Sequence, residues 1–294
     1  LPPANRYYMK FRILNESTYR YDATISLSQH RIYLRPRTNS LQALTAYDVK
    51  ISPEAVVSRM VDSLGNDLWI ARFPALSDFI SIRAEAEVES LNANPFDFVL
   101  SDYAIKFPFT YDPVIDAGLA PYLVSPAGYT LPVVKQWLDK HFVSRPTDTI
   151  DFLTALNKLV FDQLNYVRRE EPGIQTAVET LKLGGGTCRD YAVLMIELCR
   201  SLGVAARFVS GYLYAPESED ERSYGAMHAW TELYLPGAGW RGFDPTHGVW
   251  CGERFIPVAH GVHAEMANPV QGSYYNNKQV SSRLEANVTI DLLT

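Results

Sequence analysis

Gly184-Gly185-Gly186-Thr187-Cys188-Arg189-Asp190 is the stretch from which the fold of this chain can be read. Directly after it Tyr191, Leu194, Met195, Leu198 and Leu202 recur at helical spacing, which puts Cys188 in the first turn of a buried helix. The N–H groups and positive dipole end at such a start favour an anion. For a cysteine that anion is the thiolate, the nucleophilic form. The glycines ahead of it would let a substrate backbone come close. Cys199 lies inside the apolar run and reads as a small buried hydrophobe.

A nucleophile needs a base, and the base needs a group to orient it. Among six histidines, His228 has the most telling setting. From Met227 to Leu235 the chain alternates like a strand, with His228, Trp230, Glu232 and Tyr234 on one face. Pro236-Gly237-Ala238-Gly239 is turn chemistry, and Trp240 to Asp244 reads as the returning strand, stopped by Pro245. If Tyr234 pairs with Trp240, Asp244 falls opposite Trp230 and diagonal to His228, within side-chain reach. Asp244 could then hold one imidazole nitrogen while the other faces Cys188. His247 is a rival base near the same carboxylate, and also reads as a solvent-facing loop residue. Trp230 is read as either a substrate-contacting cleft wall or a core aromatic, and Glu232 as a solvated rim residue. His260 and His263 form an H-x-x-H pair without a convincing third ligand, so no metal site is expected.

Gly186-Thr187-Cys188-Arg189-Asp190-Tyr191-Ala192, the run from Cys199 to Tyr212, His228-Ala229-Trp230 and Gly239 to Thr246 together resemble the bacterial transglutaminase-like family, within the papain-like cysteine-enzyme superfamily. The matching segments span roughly residues 150 to 275. Upstream, Leu34-Arg35-Pro36-Arg37, Asp62 to Asn66 and Asn94 to Phe98 resemble the amino-terminal β domain of the same bacterial type. The resemblance places the family's catalytic cysteine, histidine and aspartate on Cys188, His228 and Asp244. It implies an α+β chain, with a papain-like catalytic domain preceded by an antiparallel β-sandwich. The implied reaction is acyl transfer from a peptide or protein amide through a thioester. Hydrolysis is preferred over transamidation because the acidic segment Glu217 to Arg222, just before His228, reads as a hydrated loop. A peptide-binding module without turnover is the competing class.

Whole-chain properties are consistent with this. Length, 294 residues, suggests two domains, and 47% hydrophobic with 20% charged residues is ordinary for globular protein. The net charge of −6 and the lack of a basic run speak against nucleic acid. No stretch approaches the ~20 apolar residues that span a bilayer. Three cysteines do not make a disulfide framework, which with a thiolate nucleophile suggests the cytoplasm. No cofactor is called for, and no EF-hand-like acidic loop suggests calcium. The expected organisation is an amino-terminal β domain over 1–112, a connecting segment over 113–130 and a catalytic domain over 131–294. Arg31, Arg35 and Arg37 share a parity and read as a solvated strip. Helices are expected over Leu131 to Phe142 and from Asp148 or Thr149 to about Tyr166.

Overall fold

In Ser77–Ser90, Ile80, Ile82, Ala84, Ala86 and Val88 are all buried while their neighbours are less so, the period-two pattern of a strand with one face in a core. This strand is the centre of the amino-terminal part. The computed structural model describes residues 8–125, 130–168, 173–215 and 226–293. Its first strands are β1 (Met9–Leu27), β2 (His30–Ile32), β3 (Gln42–Ser52), β4 (Val56–Val61), β5 (Asp67–Arg72) and β6 (Ser77–Ser90). Three helices follow: α1 (Pro113–Leu123), α2 (Thr130–His141) and α3 (Thr149–Gln163). Next come the short strand β7 (Asn165–Tyr166), α4 (Ala177–Leu183), β8 (Gly185–Gly186) and α5 (Cys188–Ser201). The remainder is strand: β9 (Ala206–Leu213), β10 (His228–Leu235), β11 (Gly239–Asp244), β12 (Val249–Trp250), β13 (Phe255–Gly261), β14 (Val270–Gln271), β15 (Tyr274–Tyr275) and β16 (Ser282–Leu293).

Two antiparallel sheets make the expected sandwich. One has the order β15-β1-β6-β3 with β16 also on β1, and the other is β14-β2-β5-β4. Ile25, Leu27, Ile32, Leu34, Ala71, Ile80, Ile82 and Ala84 form the core between them. Farther along the same face of β6, Ala86 and Val88 join Phe11 and Ile13 in a larger core shared with α2, α3 and α5. A third antiparallel sheet, β12-β11-β10-β9-β13, packs against α5. The chain is therefore α+β, as its patterning suggests. Among the described residues no helix is long and apolar enough to cross a membrane.

Two segments differ from the sequence expectation. The connecting stretch contains α1, begun by the Asp112 carboxylate accepting from Val114 N–H and by Pro113, whose missing N–H costs nothing in a first turn. The last twelve-residue strand, expected with the catalytic part, instead runs antiparallel to β1 from Lys10↔Leu293 to Tyr21↔Ser282. It satisfies an edge of the amino-terminal sheet that local patterning cannot show to be open.

Candidate functional site

Asp190 secures the start of α5. Its carboxylate accepts the Thr187 N–H at 2.8 Å, the Thr187 hydroxyl at 3.0 Å and the Gln175 N–H at 2.7 Å, and the residue is fully buried. Cys188 is thereby fixed at the first helical position, 9% exposed, with its own N–H among those that have no acceptor within the helix. At two of the three glycines before it, the protein itself fills the space that a side chain would need. Gly184 closes α4 with φ +69°, a left-handed conformation that suits glycine. A Cβ on Gly185 would sit 2.1 Å from the Asn165 carbonyl oxygen, across the β7–β8 pair. A Cβ on Gly186 would sit 2.7 Å from Asp190 Cβ and 2.8 Å from its carboxylate.

The β10–β11 hairpin has the register supposed from the sequence: Tyr234 pairs with Trp240 and Thr231 with Phe243, so Asp244 lies diagonal to His228. His228 Nε2 donates to Asp244 Oδ2 at 2.8 Å, with both side chains fully buried. Asp244 Oδ1 accepts the Thr246 N–H at 2.9 Å. Behind it Asn157, from α3, donates to the Asp244 and Val249 carbonyls at 3.3 and 3.1 Å. The other imidazole nitrogen, His228 Nδ1, is buried with no hydrogen-bond partner among the described residues. Burial lowers the proton affinity of His228, but Asp244 and Cys188 outweigh it and lift its pKa to about 10. Burial likewise opposes ionisation of Asp244, yet His228 and His247 hold its carboxyl well below the usual range. Burial pushes the Cys199 and Cys251 thiols up, so both stay protonated.

Other expected residues divide. His247 is held by Asp244 rather than projecting freely: its Nδ1 donates to the same Oδ2 at 2.5 Å. His228, Asp244 and His247 bring three potential ligand atoms within 4.8 Å of one another, a grouping the sequence reading did not consider. Trp230 is a core aromatic, 1% exposed and packed with Val209, Cys251 and Phe255, so it does not wall a cleft at Cys188. Glu232 is not a solvated rim residue: it is buried and accepts from Arg37 and Arg207, each at 2.7 Å. Arg37 and Arg35 leave the expected solvated strip for carboxylates, Arg35 meeting Asp67 at 2.5 Å. His260 faces Arg37 Nη1 at 3.1 Å. The acidic segment Glu217 to Arg222 lies outside the described residues. Asn157, Asp190 and Gln175 were not singled out in the sequence. An Asp three residues past a Thr at a helix start was the one readable signal, as a capping pattern.

A cysteine at a helix start, faced by a histidine on the strand hairpin beneath it, defines a papain-like cysteine-enzyme fold. The transglutaminase-like superfamily pattern matches residues 136–245, and the bacterial transglutaminase-like N-terminal region matches residues 11–89. The chain thus carries a transglutaminase-like core behind a bacterial transglutaminase-like N-terminal region. An uncharacterized protein of Mycobacterium tuberculosis H37Rv is 27% identical over 290 residues, covering 92% of this chain and 90% of its own. An uncharacterized protein of Mycobacterium leprae is 23% identical over 267 residues, covering 90% and 93%. The crystal structure of "a Putative Cysteine Protease from Cytophaga hutchinsonii" superposes with a TM-score of 0.76 at 21% identity, over 98% of this chain and 92% of that one.

Proposed function

We propose that this chain is a cysteine-dependent amide hydrolase that acts on a peptide or protein through a thioester, with Cys188, His228 and Asp244 as its catalytic residues. The observation that carries the reading is the division of the imidazole: Nε2 is bound to Asp244, and the buried, unpartnered Nδ1 is left for Cys188. A carboxylate only accepts, so Asp244 keeps the proton on Nε2 and leaves Nδ1 to exchange a proton with sulfur. The Cys188 thiolate attacks the amide carbonyl while the Cys188 N–H faces the developing oxyanion. The tetrahedral intermediate collapses by expelling the amine, which takes the proton from Nδ1 of the His228 imidazolium, and the acyl group stays on sulfur. Water then attacks the thioester, giving a proton back to His228 and releasing the acid. Water needs no binding site of its own, so hydrolysis requires nothing beyond these residues. Three buried free thiols fit a reducing compartment, and the cytoplasm is the proposed location. Recovery of the native protein in an oxidising extracytoplasmic fraction would overturn that location.

The test is an electrophilic thiol probe read by mass spectrometry, together with turnover of a panel of peptide amides with and without added lysine-like amine. One label on Cys188 and release of the free acid are expected. Failure of both labelling and turnover across the panel would indicate a binding module. An amine adduct dominating at modest amine concentration would indicate transamidation.

A further inference from the structure

Thr231 faces α5, donating to the Ala192 carbonyl, so its strand neighbours Trp230 and Glu232 face the opposite way. There they wall a cavity of about 330 Å³, together with Arg37, Arg207, Trp240 and Trp250. The size is within the ~300–1,000 Å³ of small-molecule sites. Cys188 does not line it.

Among the described residues, one wall carries a buried charge cluster that does not balance. Glu232 takes Arg37 Nη2 at 2.7 Å on one oxygen and Arg207 Nη2 at 2.6 Å on the other, with all three side chains about 11% exposed. Two guanidiniums share one carboxylate. His260, beside Arg37, contributes no negative charge, and burial with the two arginines lowers its pKa to about 3. Asp62, the other carboxylate felt by His260, is already occupied by Tyr33, Leu64 and Asn66. Arg241, also on the wall, stacks on Phe98 and has Asp97 as its counter-charge. Arg37 Nε is buried without a partner among the described residues. A surplus buried cation is costly unless an anion completes it.

We infer that this cavity binds a small organic carboxylate with an apolar body, its carboxylate completing the charge at Arg37 and Arg207 and its body lying against Leu41, Trp240 and Phe255. Guanidinium groups bond a carboxylate strongly, and indole faces supply apolar contact. The inference does not depend on the proposed amide hydrolysis.

Three of the five tryptophans line the cavity, so their emission reports occupancy. The probes are N-acetylphenylalanine and its neutral amide, titrated into the full chain and into Cys188→Ala. A saturable change with the acid is expected, equal in both proteins, with the amide binding at least roughly tenfold more weakly. Arg37→Gln removes the surplus charge and leaves Glu232 paired with Arg207, so the acid should weaken to the level of the amide. Gly252→Leu places a side chain at the cavity lining, where its Cβ meets nothing nearer than 3.7 Å, and should abolish binding of both probes. It stands in should Arg37→Gln fail to fold. Equal affinity for acid and amide, no saturable change, loss in Cys188→Ala, or full binding in a folded Gly252→Leu protein would each overturn the inference.

Discussion

Three adjacent glycines precede the cysteine, and each should fail differently when given a methyl group. Gly186→Ala is the informative exchange. Its new Cβ would lie 2.7 Å from Asp190 Cβ, 2.8 Å from Asp190 Oδ2 and 3.0 Å from Gln175 Oε1. Overpacking by one carbon costs about 1–3 kcal/mol when the neighbours can give. Here the neighbour is a carboxylate holding three hydrogen bonds, to Thr187 N, Thr187 Oγ1 and Gln175 N, with distances of 2.7 to 3.0 Å. Such charge-assisted bonds are worth ~1.5–3 kcal/mol each, so weakening them brings the total to about 3–5 kcal/mol. At roughly 2 °C per kcal/mol for a chain this long, melting should fall by about 6–10 °C. Gly184→Ala meets open space and costs only its left-handed backbone, about 1–2 kcal/mol. Gly185→Ala drives a Cβ to 2.1 Å from the Asn165 backbone oxygen and should be the worst. The assay is thermal melting of the three variants alongside the rate of peptide-amide hydrolysis at a temperature where all are folded. Gly186→Ala should lose ~10²-fold in rate, because Cys188 moves with its cap, while Gly184→Ala keeps most of its activity. Melting of Gly186→Ala within about 1 °C of the parent, or a larger cost at Gly184 than at Gly186, would refute the reasoning.

Four further outcomes follow from the same geometry. Iodoacetamide at mildly acidic pH should modify Cys188 well before Cys199 or Cys251, whose thiols burial keeps protonated, and peptide mapping showing equal labelling would contradict this. Asp244→Asn should lower turnover by ~10³–10⁴-fold, because an amide that keeps the Thr246 bond turns its N–H₂ toward His228 and forces the wrong tautomer; a comparable triad exchange costs ~10⁴. His247→Ala should retain turnover within roughly tenfold, since the His228–Asp244 bond survives it, and a loss as large as that of Asp244→Asn would make His247 part of the machinery. The pKa of His228 is raised to about 10, so its stabilising contribution is complete below the ordinary histidine value of ~6.5 and lost as pH climbs to about 10. Asp244 is held low, so its contribution is present above ~3.8 and lost as pH falls through its depressed value. Denaturant melts should therefore find the greatest gap between wild type and His228→Gln at about pH 4–6.5, shrinking toward pH 10, and a gap that widens over that range would refute the assignment.

What the sequence reveals here is local. Alternation over His228–Leu235, a Pro-Gly-Ala-Gly turn and a return strand mark the hairpin, and Asp244 comes within reach of His228 once Tyr234 is paired with Trp240, the pairing the structure has. The start of α5 is marked by the change from glycines to a 3.6-residue apolar period, and α3 by Asp148, which caps it as expected. The unreadable parts all depend on distant partners. Glu232 resembles any strand glutamate until Arg37, 195 positions away, is laid over it. Trp230 cannot be assigned to cleft or core without the positions of Cys251 and Phe255. The glycines suggest access because an empty side chain looks the same whether a substrate or the protein itself fills the space. Local pattern also cannot tell that His247, after a proline in a turn, bends back to its own Asp244.

The pairing of β16 with β1 joins residues more than 260 positions apart. During synthesis, β1, β3 and β6 emerge early, yet one flank of β1 has no partner until β16, more than 260 residues later, has left the ribosome. For that interval the nascent protein exposes an edge strand that neighbouring chains could pair with. The polar outer residues of β1, among them Lys10, Arg12, Glu16 and Arg20, would then act as gatekeepers until the last strand closes over its edge. Maturation of the protein would accordingly be limited by a late, long-range strand addition rather than by formation of the cysteine-bearing helix.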